Sequence, residues 1–157
     1  MYSLDTSFFM DWQARYYPLD LFVGLEQRID QMVATGAGRA VDLVREELEA
    51  VGTPDLVSWA KRHKALFVAL TSEVQIEAAG IQATYPELMD LKGIHDSADA
   101  YVIALGKIEK RIVVSQETSV NEKHRPKRTY YIPDVCRDLG IPCINLLGLM
   151  RREGWKF

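Results

Sequence analysis

The sequence predicts an α/β fold with a mostly parallel sheet, because short apolar segments alternate along it with segments of helical periodicity. Three segments are predicted to be short buried strands: Tyr2–Leu4, Ala40–Val44 and Arg111–Ser115. Between these segments, apolar residues recur at intervals of three and four over 21–33 and again over 74–81, which is the spacing of amphipathic helices. We therefore expect the helices to cover the faces of a central sheet.

The first half of the chain gives the boundaries of four elements. A helix over Phe8–Trp12 should end before Pro18, since proline disfavours a helical residue before it. The helix over 21–33 should end near the glycines of 35–38, and the strand Ala40–Val44 should run into a helix that carries Arg45–Leu48. These boundaries place Glu47 close to the exit of the second strand.

The middle of the chain contains two further helices. Thr53 and Pro54 are typical of a helix start, with Thr as N-cap and Pro at the first helical position. The apolar run Leu66–Leu70 fits either a strand or a helix, and the next helix should end at Tyr85-Pro86. His63 lies near one end of the first of these helices, and we expect it at a surface or interface rather than in a metal site.

The last third of the chain begins with a helix start and ends with short elements. Asp96 is predicted to be an N-cap, which puts Asp99 in the first helical turn, where the helix dipole favours a carboxylate. The strand 111–115 leads to Glu117, and an exposed basic loop follows over 123–128. A short helix over 134–140, a strand within 141–147 and a helical turn from Leu149 should complete the fold.

The overall composition limits the class of protein. A chain of 157 residues with two cysteines predicts one domain, residues 1–157, that folds without a disulfide framework. Neither a signal peptide nor a membrane span is evident, so we expect a cytoplasmic protein that does not bind a membrane. The net charge of −3 argues against bulk attraction to nucleic acid but leaves room for a local basic face.

Four acids follow strands or open helices: Asp5, Glu47, Asp99 and Glu117. In a parallel sheet these places lie at one edge, where ligands bind beyond the carboxyl ends of the strands. Carboxylates gathered there repel one another, and a hard divalent cation, Mg²⁺ or Mn²⁺, relieves the repulsion. The alternative for the first acid is that Asp5 with its neighbouring hydroxyls only caps a helix starting near Phe8.

A carboxylate site of this kind is suited to phosphoryl chemistry, in which a metal-bound water attacks phosphorus and the ion offsets charge on the phosphate oxygens. Ser7 and Ser115 stand next to two of the acids in the sequence. We expect their hydroxyls to orient the carboxylates or the metal-bound water.

The order of these motifs resembles the PIN domain of metal-dependent ribonucleases, many of which are toxins of bacterial toxin–antitoxin pairs. The resemblance is carried by Leu4-Asp5-Thr6-Ser7, Glu47-Leu48, Ala98–Ala104 and Val113–Glu117. It extends over nearly the whole chain, since three more segments and the closing residue are similar to a divergent PIN-like branch catalogued as of unknown function: Arg15–Pro18, Asp55–Ala60, Ile132–Cys136 and Phe157.

The resemblance implies a three-layer α/β/α domain and Mg²⁺- or Mn²⁺-dependent endoribonuclease activity. The four acids would be the catalytic metal ligands, and the protein would act as a toxin with an antitoxin partner, often as a homodimer. Three positions depart from the family pattern, in which Asn is common at the place of Ser7 and Thr and Asp at the places of Ser115 and Glu117. These changes keep oxygen ligands but alter their reach, so one ion rather than two is plausible.

The RNA backbone would need a positive surface beside these acids. The dense basic run supplies Lys123, Arg125, Lys127 and Arg128, and Arg15 is a further candidate. The alternative is that this loop is simply solvated or docks a partner protein.

Two rival functions are compatible with an acid after the first strand. Aspartyl-phosphate phosphatases require a second Asp two residues later, where this chain has Ser7. A non-catalytic RNA-binding or protein-interaction module on the same fold is favoured by the substitutions and the acidic balance, whereas the retention of all four acids opposes it.

Overall fold

The computed structural model describes residues 1–89 and 97–157 and has a five-stranded sheet at its centre. Every strand pair is parallel, and the strand order is β3-β2-β1-β4-β5. The strands are β1 (Tyr2–Leu4), β2 (Gly38–Val41), β3 (Phe67–Val68), β4 (Ile112–Val114) and β5 (Cys143–Ile144). The predicted α/β class with a parallel sheet is confirmed, and the architecture is the three-layer α/β/α arrangement.

Eight α-helices flank the sheet in the part of the chain that the structure describes. They are α1 (Thr6–Phe9), α2 (Leu25–Ala34), α3 (Asp42–Val51), α4 (Pro54–Arg62), α5 (Ser72–Thr84), α6 (Asp99–Ile108), α7 (Ile132–Leu139) and α8 (Leu146–Arg152). A π-helix (Met10–Arg15) continues α1, and short 3₁₀ turns cover Lys64–Leu66, Pro86–Leu88 and Val120–Glu122. No helix in these described ranges is both long enough and apolar enough to cross a membrane.

The central strand β1 is buried along its whole length, as expected for a parallel sheet covered on both faces. Its Tyr2 is opposite Gly38 of β2 on one side and Ile112 of β4 on the other. The chain leaves β1 toward β2 and β3, and returns to the other side of β1 for β4 and β5. The strand order therefore reverses between β1 and β4, the place where open α/β sheets form a ligand crevice.

Several boundaries differ from the sequence prediction, including the starts of α1, α2, α3, α6 and the last helix. α3 begins at Asp42, because Val44 belongs to its buried face together with Leu48 one turn later, so the predicted strand over Ala40–Val44 is too long. The N-cap of α6 is Ala98 rather than the predicted Asp96, and Asp96 itself lies outside the described residues. The last helix begins at Leu146 instead of Leu149.

The helix start that the sequence marks with Thr53 and Pro54 is confirmed. Thr53 Oγ1 accepts a hydrogen bond from the backbone N–H of Leu56, and Pro54 is the first residue of α4. At the other end of α4, His63 lies against Asp30 of α2, with Nε2 3.1 Å from Oδ1 of that carboxylate. This residue is thus half-buried at an interface between helices, as expected.

The close packing of α6 on β4 depends on Gly106. A Cβ atom at this position would lie 2.7 Å from Cγ2 of Val113 and 3.3 Å from the carbonyl oxygen of Arg111. We expect Gly106→Ala to lower the free energy of unfolding by about 1–3 kcal/mol, since overpacking a rigid core costs that much. Gly80 in α5 is the matched control, because nothing lies within 4 Å of its added Cβ. Gly80→Ala should be stabilising by about 0.5–1 kcal/mol, and urea unfolding of both variants tests the contrast.

Candidate functional site

Asp5 lies at the carboxyl end of β1, at the crevice between β1 and β4. Its backbone N–H donates to the carbonyl oxygen of Val114, so the chain continues the sheet for one more bond. Its carboxylate is buried and accepts from the backbone N–H of Ser7 at 3.3 Å, which makes it the N-cap of α1. The two interpretations of this residue are therefore compatible, because the cap and the acid of the crevice are the same side chain.

Two serine hydroxyls orient the Asp5 carboxylate. The Ser7 and Ser115 hydroxyls both donate to Oδ2 of Asp5, the second at 2.9 Å. Each hydroxyl also accepts a backbone N–H, Ser7 from Gln116 at 2.9 Å and Ser115 from Glu117 at 3.2 Å. Since each hydroxyl has one hydrogen, both are committed to Asp5, and the loop after β4 is tied to this carboxylate from two sides.

Glu47 is in the second turn of α3 and not at a strand exit, so the prediction that all four acids share one kind of place is wrong for this residue. The residue that directly follows β2 is Asp42. Glu47 reaches the site from the helix, where its Oε2 accepts from the Thr6 hydroxyl and its Oε1 accepts from the Ala98 N–H at 2.9 Å. It thereby joins the starts of α1 and α6.

Asp99 and Glu117 approach from the other elements around the crevice. Asp99 is the first residue of α6, and its Oδ2 lies 3.5 Å from Nη1 of Arg128. Glu117 follows β4 by three residues, and its Oε2 accepts from the N–H of Ile132 at 2.9 Å. Ile132 begins α7, so this carboxylate also stabilises the N-terminus of a helix.

The charge of Asp5 raises the pKa values of the other three acids, which places the four residues in one electrostatic site. Burial and then the negative charges of Asp5 and Glu117 raise the pKa of Asp99 well above its ordinary value. Glu47 adds to this effect, and the positive charge of Arg128 opposes it. Burial also raises the pKa of Asp5, and burial together with the charge of Asp5 raises the pKa values of Glu47 and Glu117. We call these four residues the acidic site.

The acidic site does not form a closed cage for a metal ion. Within residues 1–89 and 97–157, no three Asp, Glu, His or Cys side chains are placed so as to hold an ion directly. Each oxygen of the Glu47 carboxylate already accepts one hydrogen bond, and Oδ2 of Asp5 accepts from two hydroxyls. The fit to a hard divalent cation therefore rests on the oxygen donors and on the charge of four neighbouring acids.

The basic residues predicted to bind RNA are in three different environments. Arg125 and Lys127 are exposed, whereas Lys123 places its ammonium 4.2 Å from the ring centre of Tyr131. Arg128 points to the acidic site. Arg15 is outside this loop and pairs with Asp11 at 3.2 Å on the π-helix. The segment 123–128, which we call the basic segment, is thus only partly the exposed loop that the sequence predicts.

Sequence reasoning missed two polar residues of this region. The Thr6 hydroxyl donates a hydrogen bond to Glu47. The sequence feature that could have identified Thr6 is its position directly after Asp5. Gln116 donates from Nε2 to Oδ2 of Asp11 at 3.4 Å and accepts the N–H of Leu146 on Oε1 at 2.6 Å. Nothing in the local sequence marks Gln116 as a bridge between the π-helix and α8, because both partners are distant in the chain.

The fold and the site together define an α/β protein that carries a carboxylate-rich site at the carboxyl edge of a parallel sheet. The chain belongs to the family described as a domain of unknown function, DUF4411, whose profile matches residues 2–157. A comparison with curated proteins finds no match.

Proposed function

We propose that this chain is a Mg²⁺- or Mn²⁺-dependent endoribonuclease with a PIN-like fold. The single observation that carries the proposal is the convergence of four buried or half-buried carboxylates, in which the charge of Asp5 raises the pKa values of the other three. Perturbed carboxyl groups at the switch point of an α/β sheet are typical of functional sites. A site composed of oxygen donors alone favours hard cations and, with them, phosphoryl chemistry.

The residues of the acidic site would divide the work in the following way. Asp5 and Asp99 would hold the cation, with Ser7 and Ser115 fixing the orientation of the Asp5 carboxylate. Glu117 would contribute its second oxygen, since only Oε2 is used by a backbone N–H in the described part of the chain. When bound, Mg²⁺ or Mn²⁺ supplies a nucleophilic water at neutral pH and offsets charge on the phosphate.

The biological setting is part of the same proposal. An RNase of this type would act in the cytoplasm as the toxin of a bacterial toxin–antitoxin pair, with an antitoxin protein as its partner and with a homodimer as its assembly. Such a setting is supported only by the sequence resemblance to PIN domains. It would be tested by co-purification of the chain with the product of a neighbouring gene.

A non-catalytic RNA-binding or interaction module is the second candidate, and one observation favours it. Both oxygens of Glu47 are engaged by Thr6 and Ala98, so this acid acts in the observed arrangement as a structural tie between helices. On this hypothesis the basic segment would bind RNA while the acidic site lacked a full set of ligands.

The decisive experiment is incubation of the purified protein with end-labelled single-stranded RNA in Mn²⁺, in Mg²⁺ and in chelator. The nuclease proposal expects cleavage with either cation and intact RNA in chelator. Intact RNA under all three conditions, with protein that is folded by circular dichroism, would contradict it. RNA that is bound but never cut would favour the second candidate.

The exposed part of the basic segment should determine the salt dependence of RNA binding. If Arg125 and Lys127 each contact a phosphate, the double Ala variant should flatten the slope of log affinity against log salt by about 1.4, or about 0.7 per lost contact on a single strand. The matched control is the double Ala variant of Lys61 and Arg62, which are exposed at the end of α4, before β3 and thus away from the carboxyl edge. Both are measured in an Asp5→Asn background to prevent cleavage, and equal slopes would assign the contacts elsewhere.

A further inference from the structure

Arg128 differs from the other cations of the basic segment in its surroundings. Its side chain is 34% exposed, and Nη1 lies 3.5 Å from Oδ2 of Asp99. Arg125 and Lys127, on the same segment, are exposed to solvent. The charge of Arg128 lowers the pKa values of both Asp99 and Glu117, so its field acts on two members of the acidic site.

The polypeptide on the C-terminal side of Arg128 is held in place by Glu87. The carboxylate of Glu87 accepts from the N–H of Thr129 at 2.7 Å and from its hydroxyl at 3.0 Å. The N–H of Glu87 in turn donates to the Tyr130 hydroxyl at 2.9 Å. The ring of Tyr130 packs edge-on against Tyr85, with 5.1 Å between ring centres. These contacts anchor the segment to the 3₁₀ turn Pro86–Leu88. They thereby fix the backbone position from which the Arg128 side chain extends.

The pair between Arg128 and Asp99 is close enough for attraction but not for a strong hydrogen bond. Charge-assisted N–H···O bonds between a guanidinium and a carboxylate are about 2.7–2.9 Å long, well below the 3.5 Å found here. About a third of the Arg128 side chain is exposed to solvent, so the side chain can move without unfolding the core. The geometry is that of a partly exposed ion pair rather than of a buried structural pair.

We propose that Arg128 is a built-in counter-ion of the acidic site, which a divalent cation must displace in order to bind. The inference rests on the proposed metal-dependent function and adds its regulation. A guanidinium and a divalent cation repel when both stand within a few ångströms of the same carboxylate. Entry of the cation therefore moves Arg128 outward, and the freed guanidinium becomes available to a phosphate of the substrate. Metal loading and substrate binding are coupled through one side chain.

The test measures Mn²⁺ affinity by isothermal titration calorimetry for the wild type, Arg128→Gln and two matched controls. We expect Arg128→Gln to bind Mn²⁺ about tenfold more tightly, which corresponds to about 1.4 kcal/mol. Arg125→Gln and Lys127→Gln remove the same charge from exposed positions of the same segment and should leave the affinity within about twofold. Unchanged or weaker binding by Arg128→Gln, with wild-type binding intact, would overturn the inference and leave the proposed function standing.

The remaining outcomes are also decisive. Mn²⁺ binding by Arg128→Gln but not by the wild type would support the inference, because the wild-type site would then be blocked by its own guanidinium. Absence of Mn²⁺ binding in all variants, each verified as folded, would overturn both this inference and the metal-dependent function. Glu87→Ala provides a second variant that keeps the charge of Arg128 but releases its anchor. It should bind Mn²⁺ a few times more tightly, and an unchanged affinity would contradict the role of Glu87.

Discussion

Asp5→Asn is expected to lower RNA cleavage by about a thousandfold while the protein stays folded. A bound ion contributes several kcal/mol to transition-state stabilisation, and each 1.36 kcal/mol is tenfold in rate. Asn keeps the size of the side chain and still caps α1, because Asn is as good an N-cap as Asp. The loss should therefore come from the missing charge of the carboxylate. It is measured as the initial cleavage rate of labelled RNA at saturating Mn²⁺, with circular dichroism as the test of folding.

Asp42→Asn is the matched control for this substitution. Asp42 follows β2 directly, as Asp5 follows β1, and it also lies at the start of a helix. Its carboxylate, however, pairs with Arg45 on α3 at 2.7 Å and does not contribute to the pKa shifts of the acidic site. We expect the cleavage rate of Asp42→Asn to remain within about threefold of the wild type, since losing an exposed pair costs less than about 1 kcal/mol. An equal loss in both variants would show that the strand-exit acids act through folding.

The second large effect concerns stability and has opposite signs with and without metal. We expect Asp99→Asn to raise the free energy of unfolding of the metal-free protein at neutral pH by about 0.5–2 kcal/mol. The reason is that burial and the charges of Asp5 and Glu117 raise the pKa of Asp99, so that ionising it in the folded state is unfavourable. The amide removes this cost. Only the weak, partly exposed pair with Arg128 is lost in return.

The pH dependence follows from the direction of the same shift. A carboxyl group whose folded pKa is raised contributes stability that is complete below its unfolded pKa of about 3.9 and is lost as pH rises through the folded pKa. The metal-free wild type should therefore become more stable on mild acidification from neutral pH, and Asp99→Asn should show a flatter profile. Urea unfolding in chelator at several pH values measures both.

Saturating Mn²⁺ should reverse the order of the two proteins. A cation at a hundredfold excess over its dissociation constant stabilises the wild type by about 2.7 kcal/mol, or roughly 5–11 °C in melting temperature for a chain of this size. Asp99→Asn lacks a proposed ligand and should gain much less. If Mn²⁺ left the melting curve of the wild type unmoved, the acidic site would not be a metal site.

Asp134 is a second buried carboxyl group, and its pKa is shifted in the opposite direction from that of Asp99. Burial acts to raise the pKa of Asp134, yet hydrogen bonds from the Ser119 hydroxyl and the N–H groups of Val120 and Tyr131 lower it overall. A lowered pKa contributes stability that is present above the unfolded pKa and lost as pH falls through the folded one. Asp134→Asn should thus destabilise the protein with or without Mn²⁺, by about 1–3 kcal/mol for the disrupted bonds.

The parts of this fold that could be predicted are those in which local pattern and tertiary position agree. Tyr2–Leu4 is short and buried at every residue, so the strand and the acid that follows it could be placed from the sequence. The run around Val44 was ambiguous, because a short apolar segment fits a strand and also one face of a helix. Because the sequence extends this strand to Val44, it places Glu47 closer to the strand exit than the structure does.

The contacts within the site were beyond local inference. Arg128 and Asp99 are 29 residues apart, and Ser115 and Asp5 are 110 apart. Periodicity indicates which face of an element is buried but not which loop side chain returns to which acid. The sequence therefore predicts which edge of the sheet carries the acids. It does not predict which residues their carboxylates contact.

The two outer strands of the sheet limit how another chain could bind. β3 and β5 each consist of two residues. Partners that bind by β-augmentation extend a sheet by pairing with a row of free backbone groups along its margin, and a two-residue margin offers few of them. A protein that binds this chain gains little from sequence-independent backbone pairing. Its recognition must depend on side chains, so the choice of partner can change through surface substitutions that leave the sheet intact.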